Sequence, residues 1–178
     1  PGKFDVMGVT ITSDHNMTIG FNKDVAWTHT VSTDRHFTLF ELALDPADPT
    51  AYLVDGKRHA MDSKSVTVET PAGPQTRTFY TTSYGPVVIM PQAGLTWNTK
   101  TAYALRDANR GNSNSSDTWL RISRAKSVGE IKQVIEQTLG IPWVNTIAAD
   151  RHGDALYADI TATPNVSAQK LKDCAPSA

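Results

Sequence analysis

The sequence predicts an α+β fold, mostly antiparallel β with an inserted helical pair. Three observations carry this reading. Strand-like segments punctuated by turn signals run to about residue 108, two helical patterns occupy about 117–139, and strand pattern resumes over 143–160. There is no internal repeat, so residues 1–178 read as a single segment of one domain.

Each element follows from local chemistry. Lys64-Ser-Val-Thr-Val-Glu-Thr70 alternates β-branched and polar residues, the pattern of a half-buried strand. Asp55-Gly56 is a two-residue hairpin signal after Tyr52-Leu-Val54. DPADP (45–49) and PAGP (71–74) put Pro and Gly where strands must stop, as connectors within the segment. GNSNSS (111–116) reads as an exposed loop feeding a helix from about Asp117 to Lys126. A second helix is expected from about Val128 to Leu139. Ser127 and Glu130 form a capping box there, and Ile131, Val134, Ile135 and Leu139 share one face. Gly140 and Pro142 stop it. WVNTIAADRHGDALYADI (143–160) then reads as two strands joined around His152-Gly153-Asp154.

Composition narrows the function classes. A chain of 178 residues can bury roughly 70% of its unfolded surface, and 39% hydrophobic residues favour one globular unit over disorder. A net charge of -1 without any Lys/Arg cluster gives no electrostatic footprint for nucleic acid. Apolar runs such as Pro86–Met90 fall far short of the roughly 20 residues of a bilayer span. The amino end, PGKFDVMG, carries neither an initiator Met nor a charged and then apolar leader, so a piece of a longer chain is expected. The lone Cys174 has no partner within the sequence for a disulfide, and its polar setting argues against a thiol nucleophile.

The segment richest in chemistry is AWTHTVSTDRHFTLF (26–40). Ser32, Asp34 and His36 could share one strand face, but no Gly-x-Ser-x-Gly elbow lifts Ser32 out of a ladder, which disfavours a local triad. His29, Asp34 and His36 lack metal-ligand spacing, and no metal site is expected. Solvated or hydrogen-bonded strand residues are the plainer reading. On residue type alone, Trp119 and Trp143 are core aromatics, and the amide of Asn145 either ties a loop or satisfies backbone groups.

The run IGFNKDVAWTHTVSTDRHFTLFELALDP, followed in order by YLVDGK, YGPVV, AYALRDAN and IPWVNTIAAD, resembles the β chain of the penicillin acylase family, in particular its acyl-homoserine lactone and aculeacin acylase branch. The resemblance covers nearly the whole chain. It implies a segment of an N-terminal nucleophile hydrolase, a fold of two sheets between helical layers (αββα). It also implies a hydrolase of acyl amides in lactones, lipopeptides or β-lactams, made as a self-cleaving precursor. The α-amino serine that attacks, with its own amine as base, would precede Pro1, and an asparagine oxyanion donor would follow Ala178. The other donor would be the main-chain N–H of Val31, with His29 and Thr30 holding its strand. Pocket-lining positions fall on Ile11, Thr18, Trp119, Trp143 and Val144, apolar walls with a few polar groups suited to an acyl chain. The TSDHNMT segment (12–18), with His15 where the family carries Pro, departs from the family's pattern.

The resemblance implies no cofactor. It implies the remaining acylase polypeptide as partner, an acyl amide as substrate and a periplasmic or secreted location. Two readings stand beside it: a catalytically silent fragment or acyl-ligand-binding module, since no nucleophile is present, and an unrelated β-rich ligand-binding domain. An isolated segment of such a fold is expected to expose sheet edges and apolar surface and to self-associate.

Overall fold

Alternating side chains and closely spaced turn residues give strands through most of the chain, and the computed structural model describes residues 4–11 and 16–175. Thr12–His15, which hold the His15 departure, lie outside the described residues. The first strands are β1 Met7–Val9, β2 Ile19–Phe21, β3 Val25–Val31, β4 Phe37–Asp45, β5 Asp48–Val54 and β6 Lys57–Ala60. They are followed by β7 Asp62–Val68, β8 Gln75–Thr82, β9 Gly85–Val88 and β10 Thr101–Asp107. Helices α1 Ser115–Ile122 and α2 Val128–Thr138 precede β11 Val144–Asp150, β12 Ala155–Ala158 and a short α3, Ala168–Asp173.

The chain divides into two units, Pro1–His36 with Asn109–Thr163 and Phe37–Ala108 with Pro164–Ala178. In the first, five antiparallel strands lie in the order β1-β2-β3-β11-β12. The face of that sheet bearing Val25, Trp27 and Ala148 packs with Trp119 and Ile122 of α1 and Ile131, Val134 and Ile135 of α2. Ile122, Ile131, Ile135 and Ile141 are fully buried, each such side chain contributing about 1.5–3 kcal/mol by leaving water. The opposite face holds Met7, Val9, Ile19, Phe21, Ile147 and Tyr157, all exposed. Pairing Met7 with Phe21, Val9 with Ile19 and Ile147 with Tyr157 sets these residues side by side.

In the second unit seven strands run β6-β5-β4-β10-β9-β8-β7. Leu42, Leu44, Tyr52, Met61, Ala102 and Ala104 form its core. Asp55 and Gly56, with φ of 49° and 73°, make the expected two-residue turn, and Val54 pairs with Lys57. Gly85, at φ 140°, comes so close to Leu105 that a Cβ there would lie 2.1 Å from its carbonyl oxygen.

Several expectations need correction. The Lys64–Thr70 strand exists as β7, but every residue of it is exposed rather than half-buried. Among the described residues it is an edge strand paired with β8 alone, and Val66 and Val68 are left exposed. The first helix runs Ser115–Ile122 instead of 117–126, so the end of GNSNSS is helical and Asp117 sits in the first turn. Asn114, the residue before it, gives its side-chain amide to Thr138 O at 2.9 Å, tying the start of α1 to the end of α2. Leu139, expected on the buried face, is 53% exposed because it is itself the left-handed cap, φ 47°. Gly140 serves close approach instead: a Cβ there would meet Thr118 Oγ1 at 2.1 Å. Half of the capping box forms, with Glu130 N–H donating to Ser127 Oγ at 3.2 Å. The Glu130 carboxylate accepts from Lys126 N–H at 2.8 Å rather than from Ser127. The polar tail also holds a short helix, α3, that its sequence does not predict, begun by Ser167 accepting from Lys170 N–H.

Candidate active site

Strand β3 reads Val-Ala-Trp-Thr-His-Thr-Val, and alternation puts Val25, Trp27, His29 and Val31 on its helix-facing side. Backbone direction alternates as well. Arg151 N–H donates to Asp24 O at 2.9 Å and Ser32 N–H donates to Trp143 O at 3.1 Å. In the β3–β11 register, therefore, even-numbered residues exchange bonds with β11 and odd-numbered ones turn toward the other edge. On that other edge β2 pairs only as far as Trp27, opposite Gly20. Thr30 lies opposite Asn145, so its carbonyl faces β11, and in a trans peptide the N–H of Val31 must point the opposite way. Among the described residues no acceptor takes that N–H. Val31 is 69% exposed and lies at the end of β3, four residues beyond the last pairing with β2.

Two side chains fix this strand end. His29 Nδ1 lies 3.0 Å from Asn145 O, and Trp119 Nε1–H donates to His29 Nε2 at 2.9 Å. Asn145 works from the other face of the sheet. Its Nδ2 donates to Thr30 Oγ1 at 3.2 Å and Val31 O at 3.3 Å, while its Oδ1 accepts from the Tyr157 hydroxyl at 3.0 Å. Residue type alone does not mark Asn145 or Tyr157 as functional. The only sequence signal was an amide beside Trp143 and Val144 in WVNT.

Burial holds the His29 ring below its ordinary range, against the backbone carbonyls of Asn145 and Thr18, which favour the protonated form. The unfolded ring titrates near 6.5, so as pH falls below that value the unfolded state takes up protons first. The stability contribution of His29 is therefore complete above about pH 6.5 and is lost as pH falls from there through the lower, folded value. Calorimetric midpoints of the complete protein should fall between pH 7 and pH 5, and fall less in His29→Gln.

Two polar residues of AWTHTVSTDRHFTLF bond within the structure, although the buried His36 Nε2 has no partner among the described residues. Ser32 Oγ donates to Asp159 Oδ2 at 2.9 Å and accepts from Asp34 N–H at 3.2 Å. His36 Nδ1 lies 3.1 Å from Ala162 O. Ser32 and His36 thus serve different partners, as the absence of an elbow suggests. Among the described residues no group of three or more His, Cys, Asp or Glu is arranged to hold a metal.

The pocket candidates fall into two sets. Val144 pairs directly with Val31, Trp143 follows the Ser32 bond and is 41% exposed, and Thr18 contributes its carbonyl near His29 and to Trp27 Nε1–H at 3.0 Å. Trp119 joins them through His29 but is 5% exposed, inside the core of its unit. Ile11, 60% exposed, stands two residues beyond β1, and no described hydrogen bond or core packing ties it to this group.

Comparison with solved structures identifies the fold. A thermostable penicillin G acylase from Alcaligenes faecalis superposes over 95% of this chain and 30% of its own, with a TM-score of 0.80 at 21% identity. The Penicillin amidase family profile matches residues 1–177, and the chain belongs to this family. It is similar to aculeacin-A acylase of Actinoplanes utahensis, 45% identical over 177 residues, covering 99% of this chain and 22% of that protein. It is also similar to acyl-homoserine lactone acylase PvdQ of Pseudomonas fluorescens, 44% identical over 179 residues, covering 98% and 23%. The chain thus spans less than a quarter of these relatives' length.

Proposed function

We propose that these residues are part of an amidohydrolase that cleaves the acyl amide of N-acyl-homoserine lactones, lipopeptides or β-lactam antibiotics. In this reading the Val31 main-chain N–H is one of two oxyanion donors. The attacking hydroxyl belongs to an N-terminal serine on another stretch of polypeptide, and its own amine takes the proton. The observation that carries the reading is the Val31 amide, turned out of the β3–β11 ladder at an uncovered strand end. A donor fixed by the backbone stabilises charge that develops on an attacked carbonyl without reorganising at the moment of reaction. The exposed Trp143 and half-buried Val144 beside it supply apolar surface for an acyl chain. The aculeacin-A and acyl-homoserine lactone acylases are the relatives that support the substrate class.

The deciding experiment is hydrolysis of N-acyl-homoserine lactones by the complete polypeptide, before and after its N-terminal serine becomes alanine. Turnover abolished by that change supports the mechanism; turnover that survives it contradicts the mechanism. A periplasmic or secreted location belongs to the same reading.

The partner proposed is the remainder of the acylase, seated on the sheet face that bears Met7, Val9, Ile19, Phe21, Ile147 and Tyr157. A contiguous apolar face of this kind associates in water when nothing covers it. Residues 1–178 alone should therefore sediment or scatter light as a species larger than a monomer, and Phe21→Lys with Ile147→Lys should shift the distribution toward monomer.

A further inference from the structure

Register places Thr30, Asn145, Ile147 and Tyr157 on one face of the first unit's sheet, with Thr30 opposite Asn145 and Ile147 opposite Tyr157. Three neighbouring atoms decide which way round the Asn145 amide lies there. The Val31 carbonyl oxygen, 3.3 Å away, can only accept, so Nδ2 must face it. Thr30 Oγ1 accepts from the same nitrogen at 3.2 Å. Oδ1 then points at the Tyr157 hydroxyl, 3.0 Å away, which must donate. A flipped amide would set Oδ1 against the Val31 carbonyl, two acceptors with no hydrogen between them. The Tyr157 O–H opposes that flip from the other end of the amide.

What the amide holds, the ladder does not. Val31 and Val144 face each other without exchanging main-chain bonds, and β2 pairs with β3 only as far as Trp27. Thr30 Oγ1 lies before the Thr30–Val31 peptide and Val31 O lies after it, so one side chain grips both sides of the peptide whose N–H is the oxyanion donor. We propose that Asn145 and Tyr157 are positioning residues for that donor: the Tyr157 hydroxyl sets the orientation of the Asn145 amide, and the amide braces the peptide that carries the Val31 N–H. The proposal rests on the acylase reading above. Neither side chain acts on the reacting atoms; both act through the aim of a main-chain hydrogen.

Tyr157→Phe removes one hydroxyl from a ring that is 68% exposed, so the fold survives the change. In the complete enzyme it should lower kcat for an N-acyl-homoserine lactone about three- to tenfold with KM unchanged. It should weaken an acyl boronate that mimics the tetrahedral intermediate by the same factor. Asn145→Leu, which removes every bond of the amide at similar volume, should lower kcat about ten- to a hundredfold. Adding Tyr157→Phe to Asn145→Leu should change nothing further, because the hydroxyl acts through the amide. A merely structural role would move the thermal midpoint and leave kcat and boronate affinity alone. Unchanged kcat in Tyr157→Phe, or a change in KM alone, would overturn the proposal whether or not Asn145→Leu folds. A parent enzyme inert toward acyl amides would instead overturn the acylase reading. The brace itself is then read from hydrogen exchange of the Asn145 side-chain amide in asparagine-labelled enzyme, which should speed about three- to tenfold in Tyr157→Phe. Exchange that does not change would overturn the brace whatever the activity.

Discussion

Replacing Val31 by proline in the complete enzyme is expected to lower kcat about 10²- to 10³-fold, the effect of losing one oxyanion donor, while Val31→Ala has little effect. The contrast arises because the functional atom is a main-chain hydrogen. Alanine keeps it, and the side chain it removes is largely in solvent, with Val31 69% exposed. Proline deletes it, and here the deletion breaks no ladder bond, since position 31 faces away from β11 and among the described residues donates to no acceptor. Thr30, the preceding residue, is already in strand conformation, which a following proline requires. The fold of Val31→Pro should therefore survive, checked by its thermal midpoint, so that a loss of rate reads as a loss of transition-state stabilisation. Equal activity in Val31→Pro and Val31→Ala would contradict the assignment.

The second large effect separates two tryptophans that the sequence alone cannot tell apart. Trp119→Ala should cost about 3–5 kcal/mol of stability, the range for emptying a buried aromatic site. Trp119 is 5% exposed among Ile122, Ile131 and Ile135, and its loss also leaves His29 Nε2 without its donor. Trp143→Ala removes a ring that is 41% exposed. It should cost under about 1 kcal/mol while changing the preference among acyl chain lengths. Urea unfolding of the complete enzyme checks the first difference and substrate competition checks the second. If the two variants lost the same stability, Trp143 would have to be packing rather than pocket wall.

Much of the architecture is legible because it follows from period and turn chemistry. The Asp55-Gly56 turn, the α2 face of Ile131, Val134 and Ile135, and the hairpin around Gly153 all form where their residues place them. Readings fail where tertiary context decides. Alternation in Lys64–Thr70 gives the strand but not its burial, because an edge strand lacks a cover that no local pattern can report. Leu139 fits a helical apolar face, yet close approach of Gly140 to Thr118 and Asn114 makes Leu139 the left-handed cap and turns it outward.

The site is less legible for a different reason. A main-chain donor leaves no mark on residue type, so Val31 is found only through resemblance, and the direction of its N–H only through the register that pairs it with Val144. Residue type directs attention to Ser32, Asp34 and His36 instead, and their bonds to Asp159, Ser32 and Ala162 are those of a structured strand end. The grip of Asn145 on both faces of the sheet depends on strands more than 100 residues apart in sequence. No local pattern could show it.

The central claim is that the Val31 amide receives the developing oxyanion. Its most direct test is a crystal structure of the complete enzyme bound to an acyl phosphonate or boronate that mimics the tetrahedral intermediate. The account expects an oxygen of the analogue at roughly 2.7–3.1 Å from Val31 N, in the plane of that peptide. Val31 N–H bonded instead to a protein carbonyl, with the analogue's oxygen held by other groups, would contradict it.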